Sequence, residues 1–319
     1  MSTLRIFDAS QYIASGVGPA IVKRGVFQSS GVYMARELRV AGVNVLLNAV
    51  IEFIDQKDTT LAFAFDDKPT FKRRLYRETF GDTATGYKGN RQKRDPHLTQ
   101  QRKLARDVLE ACNINNFLVE GYEADDIIAT LVEKYRDDFD RIIIHTRDSD
   151  LFYLVDEKVT IEKVSNVGKN VTRANWESTV LRDKILPYGT LLLNKLIVGE
   201  MGDNIPAIPT VKAQMLLNAL DANPIVQEVL ADTDFLHRWV NKIVGDDKRV
   251  MGTLELLIPV ILDYNEVELH DEPCKVNMLR DFCIEFQNKY FKNNVPTQGN
   301  PDVEEVIERN IDEYLESIR

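Results

Sequence analysis

Seven acidic side chains fall in three short clusters: Glu123, Asp125 and Asp126 in GYEADD, Asp148 and Asp150 in HTRDSD, and Glu200 and Asp203 in VGEMGDN. Each cluster borders an apolar segment, where a folded chain can bring all three together. Asp8 follows LRIF and Asp66 follows LAFAF in the same manner. Carboxylates crowded into one place repel one another and lose hydration, a cost of several kcal/mol unless cations fill the gap. Hard divalent ions with oxygen ligands, Mg²⁺ above all, suit such a cage. The spacing reads as a two-metal phosphodiesterase site.

Glu123 and Asp126 are three apart and share a helix face, with Asp125 about 100° around it. A helix start also presents them near the positive end of its dipole, although an acidic first turn serves capping equally well. Asp148 and Asp150 lie two apart, just past a wholly apolar strand. If the extended geometry continues, both point the same way. A DxD alone also belongs to phosphatases and glycosyltransferases; the GYEADD cluster upstream makes it specific. Glu200 and Asp203 precede a helix–turn–helix pattern, whose amides and helix N-termini grip phosphates without reading bases. Lys212 adds charge there. The four histidines form no HExxH, and the chain has no GxSxG and no P-loop. His145 reads as a packing residue rather than a base.

Composition narrows the class. The 319 residues carry a net charge of −10, with 44% hydrophobic and 28% charged residues, as expected of a soluble globular chain. No apolar run is long enough for a membrane span, and the N-terminus lacks a signal-peptide pattern. Three scattered cysteines argue against a disulfide framework or zinc knuckle and for a reducing cytoplasm. The net charge hides an asymmetry: Lys68 to Arg106 holds twelve Lys/Arg against three Asp/Glu, interleaved with Phe71, Tyr76, Phe80 and Tyr87. That segment can hold a phosphate backbone.

The elements that must position these residues are short buried strands at 4–10, 61–65, 116–120, 141–146 and 159–164, alternating with helices at 31–54, 98–111 and 123–137. The alternation predicts an α/β fold with a mostly parallel central sheet flanked by helices. Asp8, Asp66 and the Asp148/Asp150 pair all follow strand C-termini, where such sheets bind ligands. Residues 66 to about 96 carry no sustained apolar period and read as a mobile loop. Past 185 the chain turns helical, with a proline-marked hairpin over 188–220 and an acidic helix over 301–319. The expected division is an α/β core over 1–185 and a helical region over 186–319.

In this order the motifs resemble the 5′-nuclease superfamily: flap endonucleases, the 5′-nuclease domains of bacterial DNA polymerases and the bacteriophage 5′-3′ exonucleases. YKGNR (87–91) is closest to the phage type. The resemblance covers about residues 4–220. It implies a PIN-like or resolvase-like 5′-nuclease fold with a helix-hairpin-helix (H3TH) subdomain and a basic arch over about 67–106. It implies structure-specific 5′-3′ exonuclease and flap endonuclease activity by two Mg²⁺ ions, which Mn²⁺ replaces, in DNA replication and repair.

Carried over by motif, the resemblance makes Asp8, Asp66, Glu123, Asp125, Asp126, Asp148, Asp150, Glu200 and Asp203 the metal ligands. Asp67 follows Asp66 where the family has a small residue, so which of the two faces the metals is open. Lys88 and Arg91 would meet the scissile phosphate, Tyr87 would stack on a base, and Lys93 and Lys212 would hold DNA. Glu200 stands where the family has aspartate. The hairpin turn 207–212 reads AIPTVK in place of several glycines, so the family's potassium ion is not expected there. The implied partners are DNA with 5′ ends, flaps or gaps, RNA–DNA hybrids, and a replication protein at the C-terminal helix. A monomer in the cytoplasm, the host's if phage-encoded, is expected. The alternative is a non-catalytic junction binder with a degenerate metal site.

Overall fold

Strand-forming segments rich in Ile, Phe and Ala assemble the centre of the computed structural model, which describes residues 1–15, 41–82, 85–91, 96–162, 170–178, 180–181, 184–185 and 187–287. Strands β1 (Thr3–Asp8), β2 (Thr59–Ala64), β3 (Asn115–Phe117), β4 (Arg141–His145) and β5 (Val159–Glu162) form one parallel sheet in the order β3-β2-β1-β4-β5. Ile6 pairs with Ala62 on one side and Ile144 on the other, so β1, β2 and β4 end at one level. The strand order reverses direction between β1 and β4, the place where open α/β sheets bind ligands.

Both faces are covered, which explains the nearly continuous apolar strands. One face, with Leu4, Ile6, Ala62, Ile142 and Ile144, packs on α4 (Ala124–Tyr135) through Ile127, Ile128 and Leu131. The other, with Phe7, Leu61 and Phe63, packs on α1 (Ala41–Phe53) and α3 (Pro96–Ala111) through Val43, Leu46, Val108 and Leu109. Cys112, Cys274 and Cys283 are free thiols in or against this second cluster.

The first cluster continues into α5 (Leu191–Val198), α6 (Thr210–Ala222), α7 (Thr233–Val244) and α8 (Lys248–Leu257), through Leu192, Leu196, Leu216, Leu236 and Leu254. The chain then runs back along the sheet. Val260 N donates to Asp126 Oδ1 at 2.8 Å, His270 N to Asn115 Oδ1 at 2.9 Å and Lys275 N to the Cys112 carbonyl at 3.0 Å. This delivers α9 (Val276–Gln287) to the second cluster, where Leu279, Phe282 and Phe286 are buried.

Most expected elements form. The first strand stops at Asp8, and residues 9–15 are already helical. Residues 31–40 and the acidic helix at 301–319 lie outside the described residues. The expected loop after Asp66 instead contains helix α2 (Thr70–Phe80). Its apolar stripe is built of Lys72, Tyr76 and Phe80 as well as Leu75, and Lys72 is itself buried, so counting only apolar residues misses it. α2 packs closely on α8, where Gly252 leaves no room for a Cβ against Thr79 Oγ1. Among the described residues no helix is long and apolar enough to cross a membrane.

Candidate active site

The switch point holds the least compensated charge. Asp8, at the end of β1, is buried; its Oδ1 accepts from Gln11 N at 3.0 Å and its Oδ2 from Thr146 Oγ1 at 3.1 Å. Burial pushes its carboxyl up to about 7, helped by the Asp66 and Asp148 charges. Asp148 is also pushed up to about 7, by burial and by Asp150. Asp125 is raised well above the ordinary range, by burial and then by Asp148 and Asp8. Asp125 feels Asp148 and Asp8, and Asp8 feels Asp148; the Thr146 hydroxyl that donates to Asp8 also accepts from Asp148 N at 3.0 Å, which ties the end of β1 to the turn after β4.

Past β2, the two adjacent aspartates separate. Asp66 accepts from Ala124 N at 3.0 Å and from Arg102 at 3.3 Å, and its charge reaches Asp8. Asp67 accepts from Gly121 N at 2.9 Å, in the turn before α4. Asp66 therefore stands beside the cluster, whereas Asp67 braces a loop. The DSD segment is not extended as expected. Asp148 caps a 3₁₀ turn over Ser149–Leu154 by accepting from Asp150 N at 2.9 Å.

At the start of α4, Glu123 and Asp126 form a reciprocal capping box. Asp126 is nearly inaccessible; its Oδ2 accepts from Glu123 N at 3.0 Å, and its Oδ1 accepts from Val260 N and lies 3.3 Å from Lys72 Nζ. Both of its oxygens are thus engaged in holding the helix start and the returning chain. Burial alone would raise Glu123, but Lys72 and Lys88 outweigh it and hold the carboxyl down at about 2.

The gateway segment 85–91 is docked onto the acidic loop 200–204. Lys88, at the left-handed φ of 54°, donates its amide to the Asp203 carbonyl at 2.9 Å. Asn90 reaches the Met201 carbonyl at 2.7 Å, and Arg91 Nε reaches the Gly202 carbonyl at 3.1 Å. Lys88 Nζ lies 2.5 Å from Glu123 Oε1 and 3.4 Å from Asp203 Oδ2, and Arg91 pairs with Asp203 Oδ1. Tyr87 is 4% exposed and donates its hydroxyl to Glu123 Oε2 at 2.8 Å and to Asp203 Oδ2 at 3.1 Å. Its ring is buried here as a strut between the two carboxylates, where the resemblance implies stacking on a base.

The third cluster is held from α5. Gly199 ends that helix at φ 80°, where a Cβ would meet Ala207 N at 2.6 Å. Glu200 follows; its Oε1 accepts from Gly202 N at 3.1 Å and its Oε2 lies 3.4 Å from Lys195 Nζ. Lys195 is bonded to Asp150 as well, and its charge holds Asp150 below the usual carboxylate range against the effect of burial. Lys212, which the resemblance assigns to DNA, donates to the Val244 carbonyl at 3.0 Å and lies 3.5 Å from Asp247 in this structure. Lys93 lies outside the described residues.

Among the described residues no three His, Cys, Asp or Glu side chains are arranged around a single ion position. Lys72, Lys88 and Lys195 draw the surrounding carboxylates into ion pairs. The donor set nevertheless fits hard divalent ions: it is all carboxylate, largely buried, and raised in pKa at Asp8, Asp125 and Asp148 by burial and by its own repulsion. Sequence reading missed Lys72, Lys195 and Asn204. Lys195 carries a signal, as the one charge within LLLNKLIV; Lys72 is indistinguishable from its basic neighbours.

The chain is similar to several known proteins. A DNA polymerase I of Bacillus subtilis (strain 168) is 31% identical over 61% of this chain, and one of Geobacillus stearothermophilus is 31% identical over 61%. The chain spans about a fifth of the length of these polymerases, 21% of each. A 5'-3' exonuclease of Mycoplasmopsis pulmonis (strain UAB CTIP) is 27% identical over 52% of this chain and 56% of its own. Among solved structures, the T5 D15 protein co-crystallized with metal ions matches 98% of this chain and 99% of its own at a TM-score of 0.50 and 17% identity, a likeness of fold. A family model described as "5'-3' exonuclease, N-terminal resolvase-like domain" matches residues 18–181, half of the chain, and with the parallel sheet and its strand-end carboxylates this makes the chain a member of that 5′-nuclease family.

Proposed function

We propose that the protein hydrolyses phosphodiesters near the 5′ ends of DNA, including flaps and gaps, by two-metal catalysis. The observation that carries this is the meeting of Asp8 and Asp148 on the Thr146 hydroxyl and of Asp66 on the amide next to Asp125, together with the Lys88 and Arg91 of a segment docked on the acidic loop. In this reading Asp8, Asp66, Asp125 and Asp148 hold one Mg²⁺, and Glu123, Asp150, Glu200 and Asp203 hold or orient a second. Mn²⁺ replaces either ion. Bound there, the ions would supply an activated water and charge compensation at the leaving oxygen. Lys88 and Arg91 turn from their carboxylates to the scissile phosphate and neutralise its growing charge. Tyr87 keeps Glu123 and Asp203 in place meanwhile. Asp126, engaged on both oxygens, holds the helix start rather than a metal.

A cavity of about 790 Å³ beside Asp66 is lined by Arg73, Arg102, Lys103 and Arg106 as well as Lys88 and Arg91. It offers a single strand leaving the site a positively charged path. The kinship with bacterial DNA polymerases supports a place in replication or repair, and the metal ions of the T5 fold neighbour are in keeping with divalent catalysis. Hybrid substrates, a replication partner at residues 301–319, the monomeric state and a cytoplasmic setting belong to the same proposal.

The test is a 5′-labelled flap substrate in Mg²⁺, with an EDTA control and an Asp148→Asn/Asp150→Asn double variant. Cleavage near the branch that requires metal and is lost in the variant, with binding retained, supports the proposal. Tight flap binding without cleavage in Mg²⁺ or Mn²⁺ overturns it in favour of a junction binder.

A further inference from the structure

Two lysines each stand between carboxylates that belong to different acidic clusters. Lys195 joins Asp150, after β4, to Glu200, after α5, at 3.4 Å from the latter. Lys88 joins Glu123, at the start of α4, to Asp203 at 2.5 and 3.4 Å. Both are largely enclosed, with 8% and 13% of their side chains exposed. Lys195 rises from a helix fixed by buried Leu191, Leu192, Leu193 and Leu196, so only its own methylenes carry the ammonium in or out. Lys88 rides on the docked gateway segment. By contrast Asp8, Asp125 and Asp148 have no basic side chain at ion-pair distance among the described residues, although the more distant Lys88 charge reaches Asp125 and the Lys195 charge reaches Asp148.

We propose that Lys195 and Lys88 are resident counterions of one half of the site, so that a divalent cation enters at Asp8, Asp125 and Asp148 first and reaches Asp150, Glu200, Glu123 and Asp203 only by displacing an ammonium. This rests on the metal-dependent reading above. A carboxylate oxygen already paired with an ammonium is a poorer ligand, and the apparent affinity falls by the fraction of molecules in which the ammonium has left. Lys88 has a destination when it leaves, the scissile phosphate. Substrate arrival therefore releases Glu123 Oε1 and Asp203 Oδ2 from Lys88, while Lys72 and Tyr87 still hold Glu123 Oε2, and nucleic acid and the second cation each tighten the other's binding by the same factor. An enzyme built this way keeps its second ion loosely held until DNA is in place.

The experiment is calorimetric titration of the full chain with MnCl₂ in the absence of nucleic acid, for the wild type, Lys195→Met and Lys88→Met, with thermal melts to establish folding. The expected result is that Lys195→Met tightens the weaker class of Mn²⁺ site by about tenfold and leaves the stronger class unchanged, as removal of a competing state requires. Lys88→Met shifts the weaker class in the same direction and serves if Lys195→Met does not fold. Unchanged or weakened binding in the folded variants overturns the counterion proposal while leaving the metal site standing. No Mn²⁺ binding by any of the proteins overturns the metal-dependent reading itself.

Discussion

Asn204 Nδ2 donates to the Gly86 carbonyl at 2.8 Å, tying the acidic loop after α5 to the first residues of the gateway. The same amide reaches Thr85 Oγ1 at 2.9 Å, and the Asn204 carbonyl accepts from Tyr76 of α2 at 3.0 Å. Asn204 adopts φ 61°, a conformation asparagine tolerates better than most residues. Asn204→Gly keeps the backbone and removes the latch. It should cost about 1–2 kcal/mol and accelerate amide exchange at Lys88, measured by hydrogen exchange. Asn204→Val should cost more, because a β-branched residue is strained at that φ.

Tyr87→Phe tests the buried strut between Glu123 and Asp203. Loss of a hydroxyl shared by two carboxylates should lower stability by about 1–3 kcal/mol. If the strut positions metal ligands, the Mg²⁺ concentration for half-maximal cleavage should rise as well. A variant that melts earlier yet keeps its metal dependence would reduce Tyr87 to packing.

The separation of Asp66 from Asp67 gives opposite expectations for neighbouring residues. Asp66→Asn should reduce cleavage on the order of 10–100-fold with little change in melting temperature. Asp67→Ala, which orphans the Gly121 amide, should cost about 1 kcal/mol of stability and leave the cleavage chemistry largely intact. Melts and rates measured on both variants distinguish the two roles.

His145, at the end of β4 beside the acidic cluster, provides a pH test. It stacks on Phe7 with centroids 4.2 Å apart, and Arg5 lies 3.0 Å from its Nε2. Burial first, and the Arg5 charge second, push its pKa down to about 3. The unfolded chain, with an ordinary histidine near 6.5, binds a proton that the folded chain refuses between those values. The stability held by neutral His145 is thus complete above about 6.5 and is lost as pH falls toward 3, with a slope of up to about 1.4 kcal/mol per pH unit. His145→Phe should flatten that part of the pH–stability curve, followed by denaturant melts between pH 4 and 7.

How much of this was legible in the chain depends on what kind of signal each part leaves. The strands were readable because β1, β2 and β4 are apolar on both faces, and their terminal aspartates marked the site edge. α2 was hidden because its buried positions include Lys72, whose burial depends on Glu123 and Asp126 far along the chain. The DSD geometry was misjudged because Asp148 turns its carboxylate onto the Asp150 amide and ends the extended run. The resemblance implied base stacking for Tyr87; its burial comes from docking against Asp203, a partner that local sequence does not reveal.

The returning segment 258–275 also governs when the protein can become itself. The second apolar cluster, formed against β1 and β2 near the start of the chain, is completed by Leu279, Phe282 and Phe286 of α9. During synthesis, α1 must wait with part of its apolar face uncovered until more than two hundred further residues have emerged, and α3 until about 170 have, as the separations of Leu46 and Val108 from Leu279 require. Such long-range closure slows folding and leaves a half-built surface open to association. Nascent chains arrested before α9 should therefore be protease-sensitive around α1 and α3, whereas chains released after Gln287 should be protected there.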